Sequence, residues 1–230
     1  MSDKPKIMTV YGTRPEAIKV APVVSALQND DRFDSVVVST GQHREMLEQV
    51  NKRFGITPDH DMALMKPGQT LNELVARAIQ GLDPIIEEEQ PDVIISQGDT
   101  STAMVAALAG FHKGVKIVHL EAGLRTGNIF SPFPEEANRK IIGQIASLHL
   151  APTNESRENL RRENFRSKDI VVTGNTVIDA LLAASEWNVE FDDSRLEELR
   201  NSDQKLVLVT THRRENLDAM KEIGGAVQDL

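Results

Sequence analysis

Three acidic residues, Asp99, Glu121 and Glu135, arrive in turn just past predicted strand ends. The densest case is His119-Leu120-Glu121-Ala122-Gly123-Leu124-Arg125-Thr126, directly after the apolar stretch 115–118. In a chain that alternates strands with helices, ligands occupy the crevice beyond the carboxyl ends of the parallel strands. Carboxylates placed there converge on a bound substrate and can take up and return its protons. The residue types therefore point to acid–base chemistry driven by carboxylates.

Basic groups accompany them. In the first strand-to-helix turn, Gly12-Thr13-Arg14-Pro15-Glu16, Thr13 can cap the helix and Pro15 suits its first turn. Arg14 beside unpaired N–H groups at a helix N-terminus makes an anion pocket, to which Lys19 adds a point charge one turn later. An ordinary capped helix with solvent-facing charges is the competing account. Asp99, in Gln97-Gly98-Asp99-Thr100, has one as well, since it or Thr100 could simply cap the helix beginning at Ser101. Glu121 is not placed as a cap, and the small neighbours Ala122 and Gly123 leave it room to act. Glu135 opens the helix of Pro134-Glu135-Glu136-Ala137-Asn138-Arg139-Lys140, where the helix dipole favours a carboxylate, and a surface pair with Arg139 at i, i+4 is its alternative. Thr211-His212-Arg213-Arg214-Glu215-Asn216 resembles a second phosphate-facing turn. His43, in Gly41-Gln42-His43, follows the second strand at the same sheet edge, whereas His149 reads as a satisfied core residue and His60 and His112 as loop or helix-end residues.

The elements that must position these groups are short β-branched runs, each followed by a helical pattern: 7–11, 35–40, 93–96, 115–119, 148–151, 170–173 and 206–210. Met46, Leu47, Val50 and Phe54 have the apolar spacing of a helix, with Gly55 as its C-cap. The fold class expected is α/β, a doubly wound parallel sheet. Polar and acidic residues at 188–193 interrupt the pattern. The expected domains are therefore 1–190, Rossmann-like, and 191–230, the incomplete start of a second Rossmann-like domain, because one strand cannot bury a core.

Composition narrows the function classes. The chain has 230 residues, a formal net charge of −9 and 4% aromatic residues, which disfavours a nucleic-acid binder with its basic stripe and stacking platform. It has no cysteine, so disulfides, thiolate metal sites and cysteine nucleophiles are excluded. No H-E-x-x-H motif, dinucleotide glycine fingerprint or Walker A lysine occurs. No metal or cofactor is expected. No apolar run has the roughly 18 residues of a membrane span, and the first residues leave no room for a signal-peptide core, so a cytoplasmic location is expected.

Taken in order, Gly12–Glu16, Gly41–His43, Gln97–Thr100, His119–Thr126, Pro134–Lys140, Thr173-Gly174-Asn175-Thr176 and Thr211–Asn216 closely resemble the non-hydrolysing UDP-N-acetylglucosamine 2-epimerases. The resemblance implies two Rossmann-like domains in the glycosyltransferase-B arrangement, with the second one truncated here, a UDP-sugar substrate and a homodimer. It implies interconversion of UDP-N-acetylglucosamine and UDP-N-acetylmannosamine by elimination and re-addition of UDP. Asp99, Glu121 and Glu135 would be the acid/base residues, His212 would stabilise or protonate the leaving diphosphate, and Arg14 and Lys19 would bind the nucleotide-sugar. Residues matching an activator site are Gln42, His43, Gln69 and Arg213. The 230 residues alone are expected to turn over little. A hydrolysing epimerase, a glycosyltransferase on the same scaffold and a non-catalytic nucleotide-sugar sensor are the alternative functions.

Overall fold

A computed structural model describes residues 4–41, 44–210 and 220–228. Strands and helices alternate: β1 (Lys6–Tyr11), α1 (Arg14–Gln28), β2 (Asp34–Ser39), α2 (Arg44–Phe54), β3 (His60–Asp61), α3 (Leu71–Glu89), β4 (Val93–Gln97), α4 (Ser101–His112), β5 (Lys116–Leu120), α5 (Glu135–Ile145), β6 (Leu148–Ala151), α6 (Asn154–Arg162), β7 (Ile170–Val172) and α7 (Thr176–Ser185). The seven strands form one sheet in the order β3-β2-β1-β4-β5-β6-β7, with every neighbouring pair parallel. This is the doubly wound α/β architecture that the alternation implies.

Strand sequences are apolar at successive positions because both faces of the sheet are covered. Met8 and Val10 of β1 join Val36, Val38 and Ile94 in a core cluster with Leu74, Ala78 and Leu82 of α3 and Ala103 and Ala106 of α4. Ile7 and Tyr11 point the other way and join Val37 and Ile95 in a second cluster with Ala17, Val20 and Val24 of α1 and Leu47 of α2. The period of two along each strand thus divides the side chains between two helical layers. Helix α4 lies close on the sheet because its contact face is small. A Cβ on Gly110 would come within 2.6 Å of Ile94 Cδ1 and 2.9 Å of Ile117 Cδ1.

The chain divides into two compact units, Met1–Glu186 and Trp187–Leu230. In the second, α8 (Ser194–Arg200) starts on Asp193, whose side chain accepts from Arg195 N, and α9 (Met220–Gln228) follows. Residues 206–210 are not a strand, contrary to the expectation from their apolar run. A strand exists only with a ladder partner, and among the described residues none pairs with this segment, whose Leu206 and Leu208 are exposed. No helix among the described residues is long and apolar enough to cross a membrane.

Candidate active site

The strand order reverses between β1 and β4, and in such sheets the crevice at that switch point is where ligands bind. A cleft of about 420 Å³ opens there, lined by Thr13, Arg14, Glu16 and Lys19 after β1, by Gln97 at the end of β4 and by Asp99 and Thr100 after it. Gly12 keeps the first turn tight against the sheet. A Cβ there would overlap Thr40 Oγ1 and lie 2.8 Å from Thr102 Oγ1.

Glu16 fastens the two sides of the crevice together. Its buried carboxylate accepts from Gly12 N at 3.0 Å, from Thr13 N at 2.7 Å and, across the switch point, from Thr100 Oγ1 at 2.6 Å. Burial raises its pKa above the ordinary carboxylate value, and these hydrogen bonds only partly oppose the shift. Thr13 and Glu16 form a reciprocal capping box at the start of α1. The expected anion pocket of unpaired N–H groups beside Arg14 is therefore corrected. Glu16 occupies the Gly12 and Thr13 amides, which leaves the Arg14 and Lys19 side chains as the cations of the cleft.

The three candidate acids stand in three different conditions. Asp99 accepts from Arg139 Nε at 2.8 Å on Oδ2. It is not a cap, because Thr100 caps α4 by accepting from Ala103 N. Glu121 sits at a left-handed φ of 65°, unusual for a residue with a side chain. Its Oε2 accepts from both Lys19 Nζ and Gln97 Nε2 at 2.5 Å, and its Oε1 from Asn175 Nδ2 at 3.4 Å. Glu135 Oε2 is buried and has no hydrogen-bond partner among the described residues.

Helix α5 joins Glu135 to Asp99. Residues at i, i+3 and i+4 share a helix face, so Glu135, Asn138 and Arg139 lie on one side of α5. Asn138 Nδ2 donates to the Asp99 carbonyl at 2.8 Å, while Arg139 holds the Asp99 carboxylate. The i, i+4 surface pair between Glu135 and Arg139 does not form. Arg139 is buried and divides its donors between Asp99 and the fully buried Glu136, 2.8 Å from each.

Beneath the Asp99 turn, His119 Nε2 donates to the Gly98 carbonyl at 2.7 Å. Burial pushes the His119 pKa down to about 4, a shift that this bond opposes and the charges of Arg125 and Arg139 reinforce. It is therefore neutral near pH 7, with its proton on Nε2. His149, expected to be a satisfied core residue, is buried against the Phe165 ring, but its Nδ1 has no partner among the described residues. Burial lowers its pKa, with the charge of Arg125 acting in the same direction and that of Asp169 against it.

Arg14, Lys19 and Asp99 thus line one cleft, Glu121 is bonded to two of its lining residues, and Glu135 lies on the helix face that clamps Asp99. Gln69 lies elsewhere, in a hollow of about 350 Å³ with Lys66 and Arg77 that shares no lining residue with the cleft. Gln42, His43, His212 and Arg213 lie outside the described residues. Sequence reading missed Glu16, Gln97, Glu136, Asn138, Arg139 and Asn175 as parts of the site. The Thr-x-x-Glu spacing of Thr13 and Glu16 was the available signal for the first.

A family model described as UDP-N-acetylglucosamine 2-epimerase matches residues 25–230. The chain belongs to this family. The UDP-N-acetylglucosamine 2-epimerase of Escherichia coli K12 is 48% identical over 231 residues, covering 98% of this chain and 61% of that protein. Its counterpart from Yersinia pestis is 50% identical over 216 residues, covering 92% and 57%. The crystal structure of the Neisseria meningitidis UDP-GlcNAc 2-epimerase bound to UDP-GlcNAc superposes with a TM-score of 0.86 at 42% identity, over 97% of this chain and 62% of that one. This epimerase-family chain therefore spans about three fifths of the length of the relatives it matches. Its switch-point cleft lies within the first compact unit.

Proposed function

We propose that the protein interconverts UDP-N-acetylglucosamine and UDP-N-acetylmannosamine at C2. The C2 proton has no adjacent carbonyl to acidify it, so elimination supplies the route. Cleavage of the C1–O bond to UDP builds positive charge on the ring while a base removes the C2 proton, and the products are 2-acetamidoglucal and UDP. UDP then adds back as a proton reaches the opposite face of C2, so the reaction needs acid–base groups on two sides. Asp99, Glu121 and Glu135 take these roles, Arg14 and Lys19 bind the nucleotide-sugar, and His212 assists the departing diphosphate.

The observation that carries this reading is Glu135 Oε2, buried without a partner on the helix face that clamps Asp99. An unsatisfied buried acceptor costs about 1–3 kcal/mol, and a catalytic role is one of the reasons a folded protein keeps such a group. Residues 191–230 begin a second Rossmann-like domain, and the whole protein acts as a homodimer in the cytoplasm and takes an activator near Gln42, His43, Gln69 and Arg213.

The test is incubation with UDP-N-acetylglucosamine in deuterium oxide. It is applied to the 230-residue chain and to the same chain joined to the C-terminal remainder that its relatives carry. The joined protein is expected to produce UDP-N-acetylmannosamine with deuterium at C2. No deuterium at C2 in that protein would overturn the proposal, and free N-acetylmannosamine with stoichiometric UDP would replace it with a hydrolysing reaction.

A further inference from the structure

Resting on the acid–base role given to Asp99, we propose that Arg139 is a positioning residue. Anchored by Glu136, it holds one oxygen of Asp99 so that the other alone meets substrate. A carboxylate turns about a broad, roughly two-fold torsion, so an unrestrained aspartate presents its oxygens in many directions. In this site the turn carrying Asp99 is fixed first at the backbone, by His119 Nε2 on the Gly98 carbonyl and by Asn138 Nδ2 on the Asp99 carbonyl. The remaining freedom is in the side chain, and Arg139 Nε removes it by donating to Oδ2 at 2.8 Å, while Oδ1 has no partner among the described residues.

Arg139 can do this because it is itself held. Its Nη1 donates to Glu136 Oε2 at 2.8 Å, and Glu136, with no exposure to solvent, also accepts from the backbone N–H groups of Thr126 and Gly127 at 3.2 and 3.3 Å. The guanidinium is planar and rigid, so fixing Nη1 fixes the direction of Nε–H. The segment that begins with Glu121 thereby sets, through Glu136 and Arg139, the orientation of Asp99 on the neighbouring strand end. A lysine keeps the charge but cannot donate to both carboxylates from one rigid plane.

The test has two arms. In the 15N-labelled 230-residue chain, Asp99→Asn is expected to move the Arg139 Nε–H resonance and leave the Thr126 and Gly127 amides in place. Glu136→Gln is expected to move all three. In the extended protein, Arg139→Lys is expected to lower kcat for C2 exchange by about 10- to 100-fold, the scale of a misplacement of about 1 Å, with KM within about twofold. Added to Asp99→Asn, it should change kcat by less than about twofold, since it acts through the group already removed. An Nε–H resonance indifferent to Asp99→Asn overturns the proposal, as does an unchanged kcat in Arg139→Lys or additive losses in the double variant. If the unaltered extended protein shows no C2 exchange, the epimerase reading fails instead, and the Nε–H resonance alone decides whether Arg139 holds Asp99.

Discussion

Helices α1 and α5 begin at the same edge of the sheet, each with a proline at its entry and a glutamate in its first turn, yet the two starts are finished differently. At α1 the polar groups close on themselves. Thr13 and Glu16 cap each other, and the Glu16 carboxylate has three donors. At α5 the N-cap position is Pro134, which offers no side-chain cap. Glu136 takes three donors there, while its neighbour Glu135 keeps a buried oxygen with none among the described residues. A first-turn carboxylate supplied from its own surroundings is a brace. In the proposed reaction, the one left without a donor is the carboxylate that exchanges a proton with substrate.

The substitution with the largest expected effect breaks this contrast at Glu135. Glu135→Gln keeps the volume and removes the acid, so C2 exchange should fall about 10²- to 10⁴-fold, the usual worth of a general acid or base. The urea midpoint should stay nearly unchanged, because no hydrogen bond among the described residues is lost. A large loss of stability with exchange preserved would make Glu135 another brace. Glu136→Ala should do the reverse and cost about 3 kcal/mol in unfolding free energy, since it removes the counter-charge from a buried arginine and the acceptor from two backbone N–H groups. Urea denaturation that finds the variant as stable as the parent would remove the distinction between the two neighbours.

The sheet is legible because strands buried on both faces leave short apolar runs, and six of the seven observed strands lie on such runs, five of them β-branched. The two-residue β3 is too short to leave a pattern, and the run at 206–210 shows the converse, since apolar sequence carries no information about whether a ladder partner is present. Asp99 and Glu121 stood out because they follow strand ends. The competing account of Arg139 as an i, i+4 surface partner fails because that rule sees only its own helix, whereas its partner Asp99 lies 40 positions earlier. Likewise, the capping signature reveals that Glu16 closes its own turn but not that it reaches Thr100, 84 positions away. Such contacts come from the parallel crossovers, which bring distant turns to one edge only after folding.

Two further effects, the first spread over a range of pH, sharpen the contrast from the side of the braces. His119 holds its pKa near 4 in the folded protein against an ordinary 6.5, so between these values the unfolded chain binds a proton that the folded one refuses. Stability should therefore fall as pH drops from about 6.5 to about 4, by about 3 kcal/mol in total. His119→Gln retains an N–H donor for the Gly98 carbonyl and cannot titrate, so urea unfolding across this range should show a flatter decline. Equal declines in both proteins would mean that the buried imidazole is protonated without penalty. The smallest effect belongs to Thr13→Ala, which removes one cap from an α1 start whose Glu16 keeps its Gly12, Thr13 and Thr100 donors. The expected loss is about 1 kcal/mol, that of an ordinary helix cap. A loss well above about 2 kcal/mol would show that Glu16 depends on Thr13 Oγ1 to stay buried, and that the brace at α1 is one cooperative unit rather than a set of independent hydrogen bonds.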